Sequence, residues 1–222
     1  VLAAHGASLL DGLLRTWVFV RDIDNHYAHM VAARRDLFRD AGLTPATRFV
    51  ASTGIEGASH APGALVSLDA LAVVGLRREQ IIRIEARDHL NPTSEYQVTF
   101  ERGTKVLYDD RSHIFISGTA SIDHRGQILH PGDVVKQTHR TLENIECLLQ
   151  NAGARFDDLT MMIVYLRDAA DAAVVEQRLS EFLTRPVPRV MVHAPVCRPG
   201  WLVEIECMAA RPAERGALPR YG

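Results

Sequence analysis

Two stretches of the chain repeat one order of apolar runs around a helix-like segment. The first, residues 16–73, begins with TWVFVRDID and closes with TRFVASTGIEG and GALVSLDALAV. The second, residues 161–210, begins with MIVYLRDAAD and closes with PRVMVHAPVCRPG and WLVEIECMAA. Short β-branched and aromatic runs bounded by turn residues are typical of strands. Both stretches therefore predict the order strand, helix, strand, strand.

Aligned charged positions strengthen this internal repeat. We call the two stretches, with their flanking elements, copy one and copy two. The aligned positions are Arg21-Asp22 with Arg167-Asp168, Arg48 with Arg189, Ser67 with Glu204 and Asp69 with Glu206. Because copy one has Ser67 where copy two has Glu204, we expect a single acidic site per chain, in copy two.

Helix signals separate the strands. Pro131-Gly132-Asp133 opens a helix whose apolar positions recur every three or four residues until Asn151-Ala152-Gly153 ends it. A second helix is expected over about residues 172–183, and copy one has a helix over Ala28–Ala41. The segment Leu9–Leu14 has the pattern of a helix end that runs directly into a strand. We therefore expect copy one to lack its opening strands.

Three segments organise the chain. Residues 1–76 form an N-terminal unit that is incomplete at its N-terminus and non-catalytic. Residues 77–94 are a polar connector that ends in the turn signal Asn91-Pro92. Residues 95–222 form the catalytic unit, whose opening strands are expected at Tyr96–Phe100, Lys105–Tyr108 and His113–Ser117.

Composition narrows the class of function. The chain has 222 residues, a net charge of −2 and apolar runs of strand length only, which argues against nucleic-acid or membrane partners. Its three cysteines show no CxxC spacing, and no secretory signal is visible, so we expect a cytoplasmic protein. The sequence contains no phosphate-loop or metal motif, and no cofactor is expected.

Glu204 is the main candidate for chemistry. In the strand WLVEIEC, the period of two places Glu204 and Glu206 on one face. Repulsion between neighbouring carboxylates, together with burial, raises a pKa and can keep one of them protonated at neutral pH. We assign the acid to Glu204 and a structural role to Glu206. The alternative is an exposed edge strand with two solvated acids.

Five segments of copy two carry a family resemblance. They are FISGTASIDHRGQILHPGD (115–133), QTHRTLENIECLLQNAG (137–153), VYLRD (164–168), PR (188–189) and VEIE (203–206). These segments resemble the Rid family (reactive intermediate deaminases). The resemblance implies a chorismate-mutase-like α/β (α+β) fold, a mixed sheet backed by two helices in each unit. Rid proteins usually form trimers, but a tandem chain can satisfy such contacts internally, so the oligomeric state stays open.

Three further segments narrow the resemblance. They are TRFVASTGIEG (47–57), YQVTFERG (96–103) and APVCRPGWLVEIE (194–206), and they are similar to the chorismatases. That family joins two Rid-like units in one chain and acts on chorismate. Its members are longer than this chain, which agrees with the expected absence of opening strands.

The resemblance implies roles for individual residues. Glu204 is the acid that protonates the enolpyruvyl group, and Arg189 holds a substrate carboxylate through its guanidinium fork. A second cation is needed for the second carboxylate of chorismate. Arg102 is the candidate, with Tyr96 as a hydroxyl donor, and Arg198 competes for this role.

Two residues bear on the product. Gly118 is expected on the floor of the site, where a missing side chain lets substrate approach the backbone. Chorismatases that form 3-hydroxybenzoate resemble this chain in pairing a glycine there with a cysteine at Cys197, which would assist the proton shift. We therefore expect conversion of chorismate to 3-hydroxybenzoate and pyruvate. The alternatives are a hydrolytic chorismatase, a former of mixed 3- and 4-hydroxybenzoate, a Rid-type imine deaminase and a non-catalytic small-acid binding module.

Overall fold

The computed structural model describes residues 1–93, 98–213 and Leu218, so the prediction for Tyr96 lies outside the described residues. The strands are β1 Leu13–Val20, β2 Ala51–Glu56, β3 Val66–Ala72, β4 Ile81–Ile84, β5 Gly103–Leu107, β6 Arg111–Ala120, β7 Leu159–Leu166, β8 Arg189–His193 and β9 Val203–Pro212. The α-helices are α1 Leu9–Gly12, α2 Ile23–Asp40, α3 Val134–Asn151 and α4 Ala172–Phe182. No helix in these ranges is long and apolar enough to cross a membrane.

The strands form two mixed sheets. The first has the order β2-β1-β3, and the second has the order β4-β5-β6-β9-β7-β8. In the first sheet β1 runs parallel to β2 and antiparallel to β3. In the second, β7 runs parallel to β8 and antiparallel to β9. Helices back these sheets, so the expected α+β fold is confirmed.

The two copies share element order and register. Each has a strand, a helix, a parallel partner strand and an antiparallel partner strand. The equivalent cross-strand pairs are Phe19–Ser67 with Tyr165–Glu204, and Trp17–Asp69 with Ile163–Glu206. This register matches the alignment of Ser67 with Glu204 and of Asp69 with Glu206. Superposition of the two copies as one unit remains a prediction.

One pair in the sequence alignment is wrong. Arg189 lies opposite Met162 in the second sheet, and the corresponding position of the first sheet, opposite Thr16, is Ser52. Arg48 instead precedes β2, where its guanidinium donates to three backbone carbonyls of neighbouring segments. The apolar run after each arginine looks alike, but the position equivalent to Arg189 lies four residues after Arg48 in copy one.

The segment expected to be a connector contains a strand. β4 lies within residues 77–94 and pairs antiparallel with β5, and Ile84 is buried in the same apolar cluster as residues of α3. Gln80, just before β4, is buried and donates to the Leu107 carbonyl at 2.7 Å. The run IIRI is too short to stand out from the polar residues around it. Residues 98–100, expected to be part of a strand, have no regular secondary structure.

Strand β2 of copy one packs beside β6 of copy two, and polar groups join them. The Ser52 amide donates to the Ser117 hydroxyl at 3.0 Å, and the Ala51 amide donates to the Thr104 hydroxyl at 3.1 Å. The Glu101 amide donates to the Val50 carbonyl at 2.9 Å. We call this contact the seam. It places side chains of copy one beside the carboxylates of β9.

Glu101 gives the seam a dependence on pH. Its side chain is fully buried, accepts from the Phe49 amide at 2.8 Å and lies 3.5 Å from the Arg83 guanidinium. Burial raises the pKa of Glu101 to about 7 despite these partners. The folded state thus binds the proton more tightly than the unfolded state. Stability is greatest below the unfolded pKa and falls as pH rises through the folded pKa.

We expect Glu101→Gln to remove this loss of stability. An amide oxygen can still accept from the Phe49 amide, but no charge is buried. The shift from 4.5 to about 7 corresponds to a change on the order of 3 kcal/mol. Urea unfolding at pH values below and above the folded-state pKa of Glu101 measures this change in the free energy of unfolding. The variant should gain stability over the native protein only at the alkaline end, and an equal gain at acid pH would contradict this explanation.

Candidate functional site

A cleft opens at the seam, and both copies line it. The lining polar and small side chains from copy one are Tyr27, Arg34, Ser52 and Gly54, and those from copy two are Arg102, Gly118, Cys197, Arg198, Trp201 and Glu204. Five residues proposed from the sequence therefore meet here. The site is shared between the copies and does not belong to copy two alone.

Arg189 does not line this cleft, so its expected place beside Glu204 is wrong. β8 is the outer strand of the second sheet. The Arg189 Nε donates to Glu176 on α4 at 2.9 Å, its Nη2 contacts the same carboxylate, and Nη2 also donates to Ser180 at 3.0 Å. This ion pair fixes the guanidinium on the helix side of copy two.

Gly118 forms the floor beneath the acid. The pairing of β6 with β9 shifts register between Ile116 and Thr119, and this irregularity brings Gly118 against the Glu204 carboxyl. A Cβ on Gly118 would overlap Glu204 Oε1 and approach Glu204 Cδ to 2.9 Å. The absence of a side chain here is therefore what allows Glu204 to occupy its present position.

Glu204 has the protonation expected of a general acid. Its side chain is only 3% exposed and contributes to the cleft lining. Burial, followed by the charge of Glu206, raises the pKa of Glu204 to about 8. The charges of Arg15 and Arg102 oppose this rise. At neutral pH the group therefore carries its proton.

Glu206 has a different environment, two residues further along β9. Its Oε2 accepts from Arg15 at 2.6 Å and from the Thr53 hydroxyl, and its Oε1 accepts from Trp17 Nε1 at 2.7 Å. Glu206 and Arg15 are both buried, so this is an ion pair shielded from water. The sequence indicated a structural role for Glu206 but not these partners from copy one.

Cys197 and Tyr27 face each other across the seam. Burial, with a further contribution from Glu204, raises the pKa of the Cys197 thiol to about 12. The Tyr27 hydroxyl is hydrogen bonded to Cys197, and burial raises the tyrosine pKa as well. Both groups are therefore neutral at pH 7. Cys197 can pass a proton but is not a thiolate nucleophile.

Arg34 is a cation that the sequence analysis missed. Its Nε donates to Thr99 and its Nη1 to Ser52, both at 2.9 Å, and its side chain is 9% exposed. Within the described ranges, no carboxylate forms an ion pair with it. The signal was available: Arg34 lies four residues from Met30 and from Phe38, in the middle of an otherwise buried helix face.

Two more arginines complete the charge of the cleft. Arg102 is buried and is held by the Asn91 carbonyl, to which its Nη2 donates at 3.1 Å. Arg198 stacks 4.9 Å above the Trp201 ring and donates to the Gly126 carbonyl at 3.1 Å. Together with Arg34, these arginines place three positively charged groups in the described lining of the cleft. The arrangement suits a small anion with more than one carboxylate.

Sequence comparison places copy two among small single-unit proteins. A family model described as Endoribonuclease L-PSP matches residues 104–211. The chain is 33% identical over 97 residues to 3-aminoacrylate deaminase RutC of Acinetobacter baylyi, covering 43% of this chain and 77% of that protein. It is 35% identical over 97 residues to a RutC family protein of Pyrococcus abyssi, covering 43% and 76%.

Structural comparison extends the similarity to copy one. A crystal structure of a chorismatase matches with a TM-score of 0.75 and 27% identity, covering 89% of this chain and 63% of that chain. This chain thus spans less than two thirds of the length of the chorismatase. A Rid family protein from Yersinia pestis matches with a TM-score of 0.50 and 21% identity, covering 58% of this chain and 98% of that chain, which shows the fold alone.

Proposed function

This chain belongs to the Rid (L-PSP) family, and we propose that it acts as a chorismatase, converting chorismate to 3-hydroxybenzoate and pyruvate. One observation carries the proposal: a buried, protonated Glu204 faces a cleft that contains buried arginines from both copies. An enol ether needs an acid, and a dicarboxylate needs two cations. The likeness to a chorismatase over 89% of the chain supports the same conclusion.

The substrate carboxylates would bind to arginines on the two sides of the seam. Arg34 has donors directed at Thr99 and Ser52, and a bound carboxylate would supply the counter-ion that it lacks among the described residues. Arg102 is fixed by Asn91 on the opposite side, near Glu204. Holding both carboxylates would orient the enolpyruvyl methylene toward the acid.

The reaction would begin with transfer of the Glu204 proton to the enolpyruvyl methylene carbon. This makes an oxocarbenium ion, and the bond between the ether oxygen and the ring carbon then breaks, with its electron pair forming the pyruvate carbonyl. The oxygen of the neighbouring ring hydroxyl forms the new bond to that carbon, and its old bond to the adjacent ring carbon then breaks, so the hydroxyl ends on the carbon that pyruvate left. Loss of a ring proton, for which Cys197 and Tyr27 are placed, gives the aromatic product and restores the acid. Atoms balance without added water.

Incubation with chorismate tests the proposal directly. Chromatographic separation of the products distinguishes 3-hydroxybenzoate, 4-hydroxybenzoate and the dihydroxycyclohexadiene carboxylate of the hydrolytic alternative. Recovery of unchanged chorismate would contradict a chorismatase of any kind. The similarity to RutC favours imine deamination as the second candidate, so release of ammonia from an enamine substrate is measured in parallel.

We expect Arg34→Gln to raise the KM for chorismate by at least about tenfold, since a charged hydrogen bond contributes roughly 1.5–3 kcal/mol. Glutamine can still bond to Ser52 but cannot hold a carboxylate with a fork of donors. Steady-state kinetics measures this change. Arg189→Gln should leave KM nearly unchanged, because its guanidinium is bound to Glu176 outside the cleft.

Arg35→Gln is the matched control, since Arg35 is the next residue on α2 and is exposed. It should behave as the native protein. If Arg189→Gln raised KM and Arg34→Gln did not, the carboxylate would bind where the family resemblance placed it, and this assignment of the cleft would be wrong.

A further inference from the structure

The two carboxyl groups on β9, Glu204 and Glu206, differ in the hydrogen bonds that they accept. Glu206 accepts hydrogen bonds from Arg15, Trp17 and Thr53. Glu204 accepts none from any residue that the structure describes, although it is just as buried. A buried carboxylate with a charged donor is stable as an anion, whereas one without donors is stable when it keeps its proton. The hydrogen-bond geometry therefore favours the charged form of Glu206 and the protonated form of Glu204.

The three donors Arg15, Trp17 and Thr53 come from copy one, and Tyr165 on β7 of copy two also forms a hydrogen bond with Glu206. Arg15 and Trp17 are on β1, and Thr53 is on β2. The Arg15 guanidinium also lies 5.1 Å from the centre of the Trp17 ring, and its Nη1 donates to the Ile116 carbonyl at 3.1 Å. The cluster thus crosses the seam and is fixed on both sides.

Thr53 connects this cluster to the floor of the cleft. Its hydroxyl donates to Glu206 and accepts from the Gly118 amide at 3.0 Å. A threonine hydroxyl has one proton, so donation to Glu206 leaves only lone pairs for Gly118 and Arg15. Glu206 therefore accepts from Thr53, and the buried ion pair with Arg15 at 2.6 Å favours the charged form of this carboxylate.

We propose that copy one determines which carboxyl of the Glu204–Glu206 pair carries the proton. Arg15, Trp17 and Thr53 hold Glu206 as an anion, so that Glu204 carries the proton. These are positioning residues, since none of them lines the cleft. That this proton is delivered to an enol ether rests on the proposed function. Copy one, which has no acid at Ser67, would thus be required for the acid chemistry of copy two.

Several groups face Glu204, and their charges determine the expected sign. They are Glu206 and Cys197 of copy two, Tyr165 on β7, Tyr27 on α2, Arg15 on β1 and Arg102. Of these, Glu206 is the negative charge that raises the pKa of Glu204, and the arginines lower it. Removing the Glu206 charge should therefore lower the pKa, so that Glu204 ionises at a lower pH.

The test is Glu206→Gln, measured in two ways. Infrared difference spectra against Glu204→Gln report the carbonyl stretch of the protonated acid without any substrate. In the native protein this band should persist at neutral pH and disappear around pH 8. In Glu206→Gln the midpoint should move down by about one pH unit or more. The alkaline limb of kcat/KM for chorismate should move by the same amount.

Asp69→Asn is the matched control, because Asp69 holds the position of Glu206 in copy one but is exposed. It should not move either midpoint. Trp17→Phe is the milder variant in case Glu206→Gln, which leaves Arg15 without its carboxylate, does not fold. It removes one neutral donor to Glu206 but leaves the carboxylate charge in place and less well stabilised. The state in which both carboxyls are ionised is then disfavoured, so both midpoints should move up by a smaller amount.

The two readouts separate this inference from the proposed function. An unmoved infrared midpoint in folded Glu206→Gln or Trp17→Phe contradicts the inference that copy one places the proton on Glu204, even if chorismate is consumed. A moved midpoint without any turnover of chorismate supports the role of copy one and contradicts the chorismatase proposal.

Discussion

Glu204→Gln is expected to lower chorismate turnover by at least about 10²-fold, the usual cost of losing a general acid. Glutamine has nearly the same shape, and Glu204 forms no ion pair within the described residues, so the fold should be retained. The amide cannot supply a proton to the enolpyruvyl methylene. Substrate binding depends on the arginines and should survive, so kcat falls and KM changes little.

Stopped assays at neutral pH, with unfolding curves for both proteins, measure this effect. Glu181→Gln is the control, because Glu181 is an exposed carboxylate on α4 that pairs with Arg178. It should retain full activity. If Glu204→Gln also retained turnover while folded, the acid would be elsewhere and the mechanism proposed for the cleft would be wrong.

The same acid predicts a pH profile for the native protein. The pKa of Glu204 is raised to about 8, so its protonated form dominates below that value and is lost above it. Catalysis that depends on the proton should decline through that range. The raised pKa also means that the buried acid does not destabilise the fold at neutral pH, because no charge is then buried.

Local patterns predicted most of the elements. The helix over residues 134–151 follows from its apolar spacing and from Asp133, whose side chain accepts from the Lys136 amide at its start. The repeated strand order of the two copies followed from matching apolar runs. β4 was missed because four residues, one of them Arg83, give too short a pattern. Sequence periodicity identifies long elements more readily than short ones.

The site was only partly predictable, because its halves meet across the seam. Glu204 was identified from the alternation of one strand and from its neighbour Glu206. Arg189 was assigned to the site from the family motif of copy two. That motif describes a single unit and does not specify which face of the unit packs against the other copy. Arg34 completes the cleft from copy one, on an element that the family motifs of copy two do not include. Packing between copies decides such contacts, and local pattern does not encode it.

The choice of product depends on the floor and side of the cleft. After protonation, the ring hydroxyl and a water compete for the ring carbon, and the hydroxyl has the advantage of being already in place. Cys197 lies beside Tyr27, so Cys197→Ala removes the thiol and makes room for a water next to a hydroxyl. Gly118→Ala acts differently, because the added Cβ requires the Glu204 carboxyl to move.

We therefore expect Cys197→Ala with Gly118→Ala to turn over chorismate more slowly and to divert part of it to the hydrolysis product. In ¹⁸O-labelled water the native ring hydroxyl should remain unlabelled, and the ring product of the double variant should contain solvent oxygen. Cys147→Ala, which changes a partly buried cysteine on α3 outside the cleft, should give unlabelled product. Label in the native ring hydroxyl would contradict intramolecular displacement and would make this protein a hydrolytic chorismatase.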